Sequence, residues 1–266
     1  MNDILKQTLV LHFAISALYN MKLLDIIFPK RCVGCGKVGK YFCSRCISSI
    51  KLIASNESIC PVCEKQAIDG RTHPKCQSRY ALDGLTSFFH YDGAIRKAIK
   101  AVKYRFIFDL AKELIDLIPS DMLMLSFRPP SRNQSAVVLG SRVKPGMTDP
   151  AIILVPIPLH SSRYRNRGFN QAEVLGKLLT QRLHVSMRTD IIKRVKKTIP
   201  QVEMKHRSER LKNMENVFAL HDTCHMTHGT FFLFDDVFTT GATMRAAAKV
   251  LKQAGATFVW AITMAR

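Results

Sequence analysis

Two groups of residues in this chain have types and spacings that can do chemistry. The first is a series of thiols. Cys32 and Cys35 make a Cys-x-x-Cys pair, and Cys43 and Cys46 make another after seven intervening residues. Each pair can turn two thiolates toward one ion. Two facing pairs complete a tetrahedral four-sulfur site, for which Zn²⁺ is the default ion. Cys60 and Cys63 open a second half-repeat, and His73 and Cys76 close it as a Cys₃His set. For the first set, reduced free thiols or an iron–sulfur cluster are the alternatives to zinc. For the second set the alternative is an empty, degenerate site. Neither set leaves an open coordination position, so both read as structural, and in so small a module metal binding supplies much of the folding free energy. Cys224 stands among His221, His225 and His228 at irregular spacing and reads as part of a solvated loop.

The second group lies in FFLFDDVFTTGATM, residues 231–244. An apolar run delivers adjacent carboxylates, Asp235 and Asp236, and small hydroxyl residues follow before a helical pattern begins. A strand that ends in acids and leads through a turn into a helix start places a loop where open α/β sheets bind ligands. The N–H groups of the turn and of the helix N-terminus can cradle a phosphate. Thr239, Thr240 and Thr243 add hydroxyls, and Gly241 lets the backbone approach closely. Two acids beside such a cradle suit a ligand with vicinal hydroxyls as well as phosphate, which describes a ribose 5-phosphate. The chain lacks G-x-x-x-x-G-K-[ST] and G-x-G-x-x-G at this place, so neither a nucleoside-triphosphate P-loop nor a dinucleotide fold is supported. One aspartate capping the turn is the plain structural alternative.

The elements that must position these residues can be read along the 266-residue chain, which has room for one sizeable α/β domain and a smaller module. Residues 1–29 form a lead-in, residues 30–80 a double zinc-ribbon module, and residues 81–266 the α/β domain. LVLHFAISALY (9–19) contains a histidine, is too short to span a bilayer and lacks a small-residue cleavage site, so neither a secretory signal nor a membrane span is expected. Met21 opens a second candidate start, which makes the first twenty residues a candidate upstream extension. LTSFFHY (85–91) reads as a strand, and AIRKAIKAV (94–102) as a helix with Ile95, Ile99 and Val102 on one face. Residues 126–150 carry four prolines and no sustained period, as in an inserted loop. AIILVPIPL (151–159) is a continuous apolar run suited to a central parallel strand. Leu175, Leu178, Leu179 and Leu183 stripe the next helix, with Asn170 and Glu173 spaced as a capping box. IIKRV (191–195) reads as a short strand. Met244, Ala247, Ala248 and Leu251 line the last helix, Gly255 stands at its C-cap, and TFVWAITMA closes the sheet.

Forty Lys and Arg against twenty Asp and Glu give a formal net charge of +20, an excess that suits a polyanionic partner or simply reflects a basic proteome. Seven of the eight cysteines cluster between Cys32 and Cys76, a usage that fits metal ligands in a reducing compartment and so a cytoplasmic location. Nine Lys and Arg against three acids fall between residues 188 and 212 and suit a polyphosphate or a nucleic-acid backbone equally.

Taken together, FPKRCVGCG (28–36), YDGAIRKAIKAVKY (91–104), VPIPLH (155–160), RNRGFNQAEVLG (165–176), KTIPQ (197–201), RLKNMENVF (210–218) and LFDDVFTTGAT resemble the ComF family of competence-associated proteins, a branch of the type I phosphoribosyltransferases. The likeness runs from Phe28 to the C-terminus apart from the loop at 126–150. It implies a type I phosphoribosyltransferase-like parallel sheet flanked by helices. It also implies binding of phosphoribosyl pyrophosphate (PRPP) with Mg²⁺. On that basis Asp235 and Asp236 would hold the ribose hydroxyls and act in catalysis, while Thr239, Thr240, Gly241, Ala242 and Thr243 would hold the 5-phosphate. Arg163, Arg165 and Arg167, after VPIPLH, would supply cations for the pyrophosphate, the alternative for these arginines being a solvated face. KKTIPQVEMKHRSERLKN (196–213) would be a mobile flap. Lys193, Arg194, Lys196 and Lys197 would serve that flap or a path for single-stranded DNA. The function implied is a PRPP-binding protein in uptake and processing of single-stranded DNA during natural transformation, with DNA-uptake and recombination proteins as candidate partners. The alternative is a plain phosphoribosyltransferase acting on a small-molecule acceptor.

Overall fold

The computed structural model describes residues 29–105, 107–126, 152–196, 216–222 and 229–266. The lead-in, most of the loop at 126–150, Lys197 with nearly all of the flap, and Cys224 with His225 and His228 lie outside them. The chain divides into two compact units, residues 1–50 and 51–266. The first cysteine set therefore belongs to the smaller unit, and the Cys60–Cys76 set to the larger one.

In the smaller unit a bridge between Arg31 and Val38 frames the Cys32 turn, and helix α1 (Ser44–Ile47) carries Cys46. The larger unit is built on a five-stranded, wholly parallel sheet of order β1-β7-β6-β2-β3. Its strands are β1 (Gly84–Phe89), β2 (Ile152–Pro156), β3 (Ser186–Met187), β6 (Thr230–Val237) and β7 (Phe258–Ala265). Near-continuous apolar runs form β2, β6 and β7 because parallel strands are covered on both faces. IIKRV departs from the alternating pattern. Its core, β4 (Ile192–Arg194), pairs antiparallel with β5 (Phe218–Leu220) in a separate two-stranded sheet. A three-residue strand of which two residues are Lys193 and Arg194 is too short and too polar for the centre of a covered sheet.

The helices are α2 (Gly93–Arg105), α3 (Phe108–Asp116), α4 (Ser120–Ser126), α5 (Ser161–Arg167), α6 (Gln171–Leu183) and α7 (Ala242–Gln253). Helix α3 packs on α2 and α6, and α6 packs on β2 and β6, whereas α7 packs on β4, β5, β6 and β7. Side chains alternate along a strand, so Phe232 and Phe234 of β6 turn toward α6 while Phe231 and Leu233 join the core that holds Met244, Ala248 and Leu251 of α7. Asn170 starts α6 as expected. Its side-chain oxygen accepts from the Ala172 N–H at 3.1 Å, and its amide donates to Glu173 and to the Ile157 carbonyl, each at 3.0 Å. The last contact fastens the helix start to the end of β2. No helix among the described residues is long and apolar enough to cross a membrane.

Candidate functional site

Strand order decides where a site can form. The chain leaves β2 toward β3 on one side and leaves β6 through α7 toward β7 on the other, so the connections diverge between β2 and β6. The carboxyl ends of those two neighbouring strands flank the crevice that open α/β sheets use for ligands. Asp235 and Asp236 stand there, still within the ladder, with Asp235 opposite Thr263 of β7.

Although consecutive in a strand, the two side chains bend together: their carboxyl groups share a hydrogen bond, and the Asp236 N–H donates to Asp235 Oδ1 at 2.8 Å. Asp236 is 3% exposed and lies on the α2 and α6 side, where it forms an ion pair with Lys103 and takes a hydrogen bond from Gln171. Burial works against its charge, but Lys103 together with hydrogen bonds from Asp235 and Gln171 outweighs burial and holds the Asp236 pKa below the ordinary range. Burial likewise opposes the Lys103 charge, and Asp236 reverses that. Gln171 in turn accepts from Arg167, whose guanidinium lies 5.6 Å from the centre of the Tyr104 ring. A continuous polar chain thus runs from Lys103 through Asp236 and Gln171 to Arg167.

Asp235 is the other member of the pair. Burial and the negative charge of Asp236 push its pKa well above the usual aspartate value, although Lys103 pulls the other way. Arg194 of β4 lies within electrostatic reach of both Asp235 and Arg163. Burial and the Arg163 charge draw its pKa down to about 10. Two guanidinium groups held near each other in a partly buried place have the charge and geometry to take a multivalent anion.

The turn after the aspartates forms as the residue types suggest. Gly241 takes φ 67° as N-cap of α7, and a Cβ there would lie 2.5 Å from the Phe238 ring and 3.1 Å from the Pro61 carbonyl oxygen. Only glycine fits both the backbone conformation and the space. The first turn of α7 leaves N–H groups without intrahelical partners beyond its start, beside Thr239, Thr240 and Thr243. The Thr240 hydroxyl is buried with no hydrogen-bond partner among the described residues, which fits a group reserved for a ligand.

The thiol sets come together as the spacing requires. In each set the four ligand atoms lie within 4.8 Å of one another. The Cys35 and Cys43 sulfurs are 3.6 Å apart, and Cys63 Sγ lies 3.3 Å from His73 Nδ1. A tetrahedral zinc with bonds of about 2.3 Å has sulfur–sulfur edges of about 3.8 Å, so both sets fit the ion. The two knuckles also share one backbone fold. Cys32 N–H donates to Lys37 and Gly36 N–H to Cys32, while Cys60 N–H donates to Lys65 and Glu64 N–H to Cys60. Gly36 and Glu64 hold the equivalent left-handed position, at φ 81° and 62°. Burial raises the Cys32 pKa, but backbone N–H groups of Cys43, Cys35 and Gly34 outweigh it and bring the value to about 6. Hydrogen bonds from Cys32 and Cys43, with burial, push Cys46 up to about 12. Four such sulfurs cannot all ionise together without a cation. His73 Nε2 donates to the Gln66 carbonyl at 2.9 Å, which leaves Nδ1 as the lone-pair nitrogen facing the cysteines. That contact removes the main objection to histidine as fourth ligand.

Sequence reasoning placed Asp235, Asp236, the threonine turn, Arg163 and Arg167 near one another, and the structure brings them to one end of the sheet. Arg194 joins Asp235 and Arg163, whereas Lys193 faces elsewhere and pairs with Asp222 at 2.6 Å. Lys103, Gln171 and Arg245 carried no assignment from the sequence. Lys103 had a visible signal: it continues the Ile95–Ile99 stripe at a four-residue step, a charge where the helix face asks for an apolar side chain.

A parallel α/β sheet with a carboxylate pair and a threonine turn at its switch point, in a chain that also carries two zinc-type knuckles, defines an α/β protein with an N-terminal zinc-ribbon module. The double zinc ribbon domain family matches residues 23–77. The chain is 27% identical to competence protein F of Haemophilus influenzae over 227 residues, 84% of this chain and 85% of that protein. It is 27% identical to DNA utilization protein YhgH of Salmonella typhimurium over 223 residues, 82% of this chain and 86% of the relative. With competence protein ComFC of Bacillus subtilis it shares 27% identity over 224 residues, 80% of this chain and 78% of the relative. The resemblance to ComF-type proteins is thus borne out over at least 80% of the chain in each of these three.

Proposed function

We propose that this protein binds PRPP at the carboxyl ends of β2 and β6 and acts in the uptake and processing of single-stranded DNA during natural transformation, in the cytoplasm. The observation that carries the ligand is the hydrogen-bonded carboxyl pair at the end of β6, immediately before a glycine-capped threonine turn. Relatives named for competence and for DNA utilization support the biological setting.

In this reading the turn at 239–243 and the first N–H groups of α7 hold the 5-phosphate. Asp235 and Asp236 accept hydrogen bonds from the ribose hydroxyls. Arg163 and Arg194 face the pyrophosphate, and Arg167 steadies Gln171, which steadies Asp236. Mg²⁺, when bound with PRPP, neutralises charge on the pyrophosphate and ribose oxygens. Lys103 keeps Asp236 ionised, so that one carboxylate remains an acceptor. Negative charge at Asp236 beside the ribose would also stabilise positive charge developing at the anomeric carbon if transfer occurs. Both zinc-type sites are structural supports. The basic surface takes the DNA backbone, in a binding mode that weakens as salt rises.

Titration calorimetry of the full chain with PRPP, with and without Mg²⁺, tests the ligand. Saturable binding that strengthens with Mg²⁺ is expected, and no binding in either condition refutes the assignment. The same titration in the presence of single-stranded DNA shows whether the two polyanions compete.

A further inference from the structure

The second knuckle is fastened to two parts of its unit. At one side its flanking backbone is laced to β1: the Ile53 N–H donates to the Phe88 carbonyl at 2.9 Å, the His90 N–H to Lys51 at 3.1 Å, and the Thr72 N–H to Asp83 at 3.0 Å. At the other side it meets the threonine turn. The Pro61 carbonyl sits against Gly241, and Arg245 of α7 spans the gap. Its Nη1 donates to the Val62 carbonyl at 3.1 Å and its Nη2 to the Thr240 carbonyl at 2.8 Å.

This geometry has a definite consequence. Val62 lies between the ligands Cys60 and Cys63, so its carbonyl is held in place when those two sulfurs share an ion. A turn that binds anions must point its N–H groups at the ligand and keep its carbonyls away from it. Arg245 takes the Thr240 carbonyl and anchors it to the knuckle. A planar guanidinium can hold both carbonyls at fixed spacing, which a single ammonium cannot.

We propose that the Cys60–Cys63 knuckle is a strut for the threonine turn, and that Arg245 is the positioning residue through which metal at Cys60, Cys63, His73 and Cys76 sets the turn's affinity for a phosphate ester. The inference rests on reading the turn as a phosphate site. The strut itself can be tested without any ligand. Thermodynamic reciprocity requires that, if metal favours the bound form of the turn, ligand on the turn favours retention of the metal.

Amide hydrogen exchange on the zinc-loaded full chain is the test. Arg245→Ala should reduce protection of residues 240–245 about tenfold while protection of β7 stays at the wild-type level, which reports an intact sheet. Arg245→Lys, which keeps the charge and loses the fork, should behave in the same way. Cys76→Ser, with its metal lost by elemental analysis, should lower protection of the same residues. Unchanged protection of the turn in Arg245→Ala, or full protection in Arg245→Lys, overturns the strut. In the second arm, PRPP with Mg²⁺ should slow zinc release from the second site to a chelator about fivefold in wild type and leave it unchanged in Arg245→Ala. Slowing of equal size in both proteins overturns the role of Arg245. A wild type that binds no PRPP refutes the phosphate reading, whereas the exchange data decide the strut by themselves.

Discussion

Lys103 of α2 and Asp236 of β6 form an ion pair in which the aspartate is almost wholly buried and the lysine mostly so, tying the last turn of the helix to the strand that carries the site. Removing one partner of such a pair leaves the other charge enclosed without compensation, at a cost of about 3–5 kcal/mol. Asp236→Asn is therefore expected to lower stability by about 3 kcal/mol in urea unfolding at neutral pH. Adding Lys103→Met should restore most of the loss. A single Asp236→Asn variant as stable as wild type would show that the pair is not coupled.

The two aspartates respond oppositely to pH. The folded-state pKa of Asp235 lies above its unfolded value of about 3.9, so between the two values the folded protein holds the extra proton. Its contribution is complete in acid and is lost as pH rises through the folded pKa. Asp236 is depressed, so its contribution is present above the unfolded value and lost as pH falls through the folded one. Asp235→Asn should make the protein more stable than wild type at about pH 8 and close to it at about pH 4, since only the wild type loses stability over that range through this group. Urea midpoints across the range check the sign, and a variant that loses stability at the higher pH contradicts it.

Two zinc ions per chain are expected in protein purified without added metal. Cys46→Ser should lose the first and His73→Ala the second. Elemental analysis decides this: one zinc in wild type refutes the second site, and iron in its place refutes the zinc assignment.

Neighbouring cations in β4 are expected to divide their work. Arg194 lies by Asp235 and Arg163, while Lys193 turns to Asp222. Arg194→Ala should weaken PRPP binding at least tenfold, roughly what loss of a charge-assisted contact costs. If the flap forms part of the DNA path, replacing Lys193, Lys196 and Lys197 together should flatten the salt dependence of single-stranded DNA binding, because each neutralised phosphate releases condensed counterions. Binding titrations at several salt concentrations separate the two effects. A wild type that bound no single-stranded DNA even in low salt would favour a plain transferase.

Much of this arrangement was legible in the residues. FFLFDD and TTGAT gave strand, turn and helix start, because an apolar run, a glycine at a left-handed position and an alanine-rich stripe are local signals. The cysteine pairs were equally local. What the sequence did not show depends on distant segments meeting. Lys103 and Asp236 are separated by most of the domain, and only the misplaced charge on the Ile95–Ile99 face hinted at a partner. Arg194 read as one of a run of cations, since which strand face turns inward is settled by its pairing with β5. The pairing itself was unforeseen, because β4 is too short to declare a register. Arg245 has no local signature, as its meaning lies in two backbone carbonyls, one of them in the zinc knuckle.

The most direct test of the central claim is calorimetry with PRPP and Mg²⁺ on the wild type and on a Lys103→Met, Asp235→Asn, Asp236→Asn variant, which removes both carboxylates without stranding a buried charge. Ribose 5-phosphate and pyrophosphate serve as partial ligands. The account predicts that wild type binds PRPP more tightly than either part, that the triple variant retains its far-ultraviolet circular dichroism, and that its PRPP affinity falls by at least tenfold. A folded triple variant with unchanged PRPP affinity would contradict it.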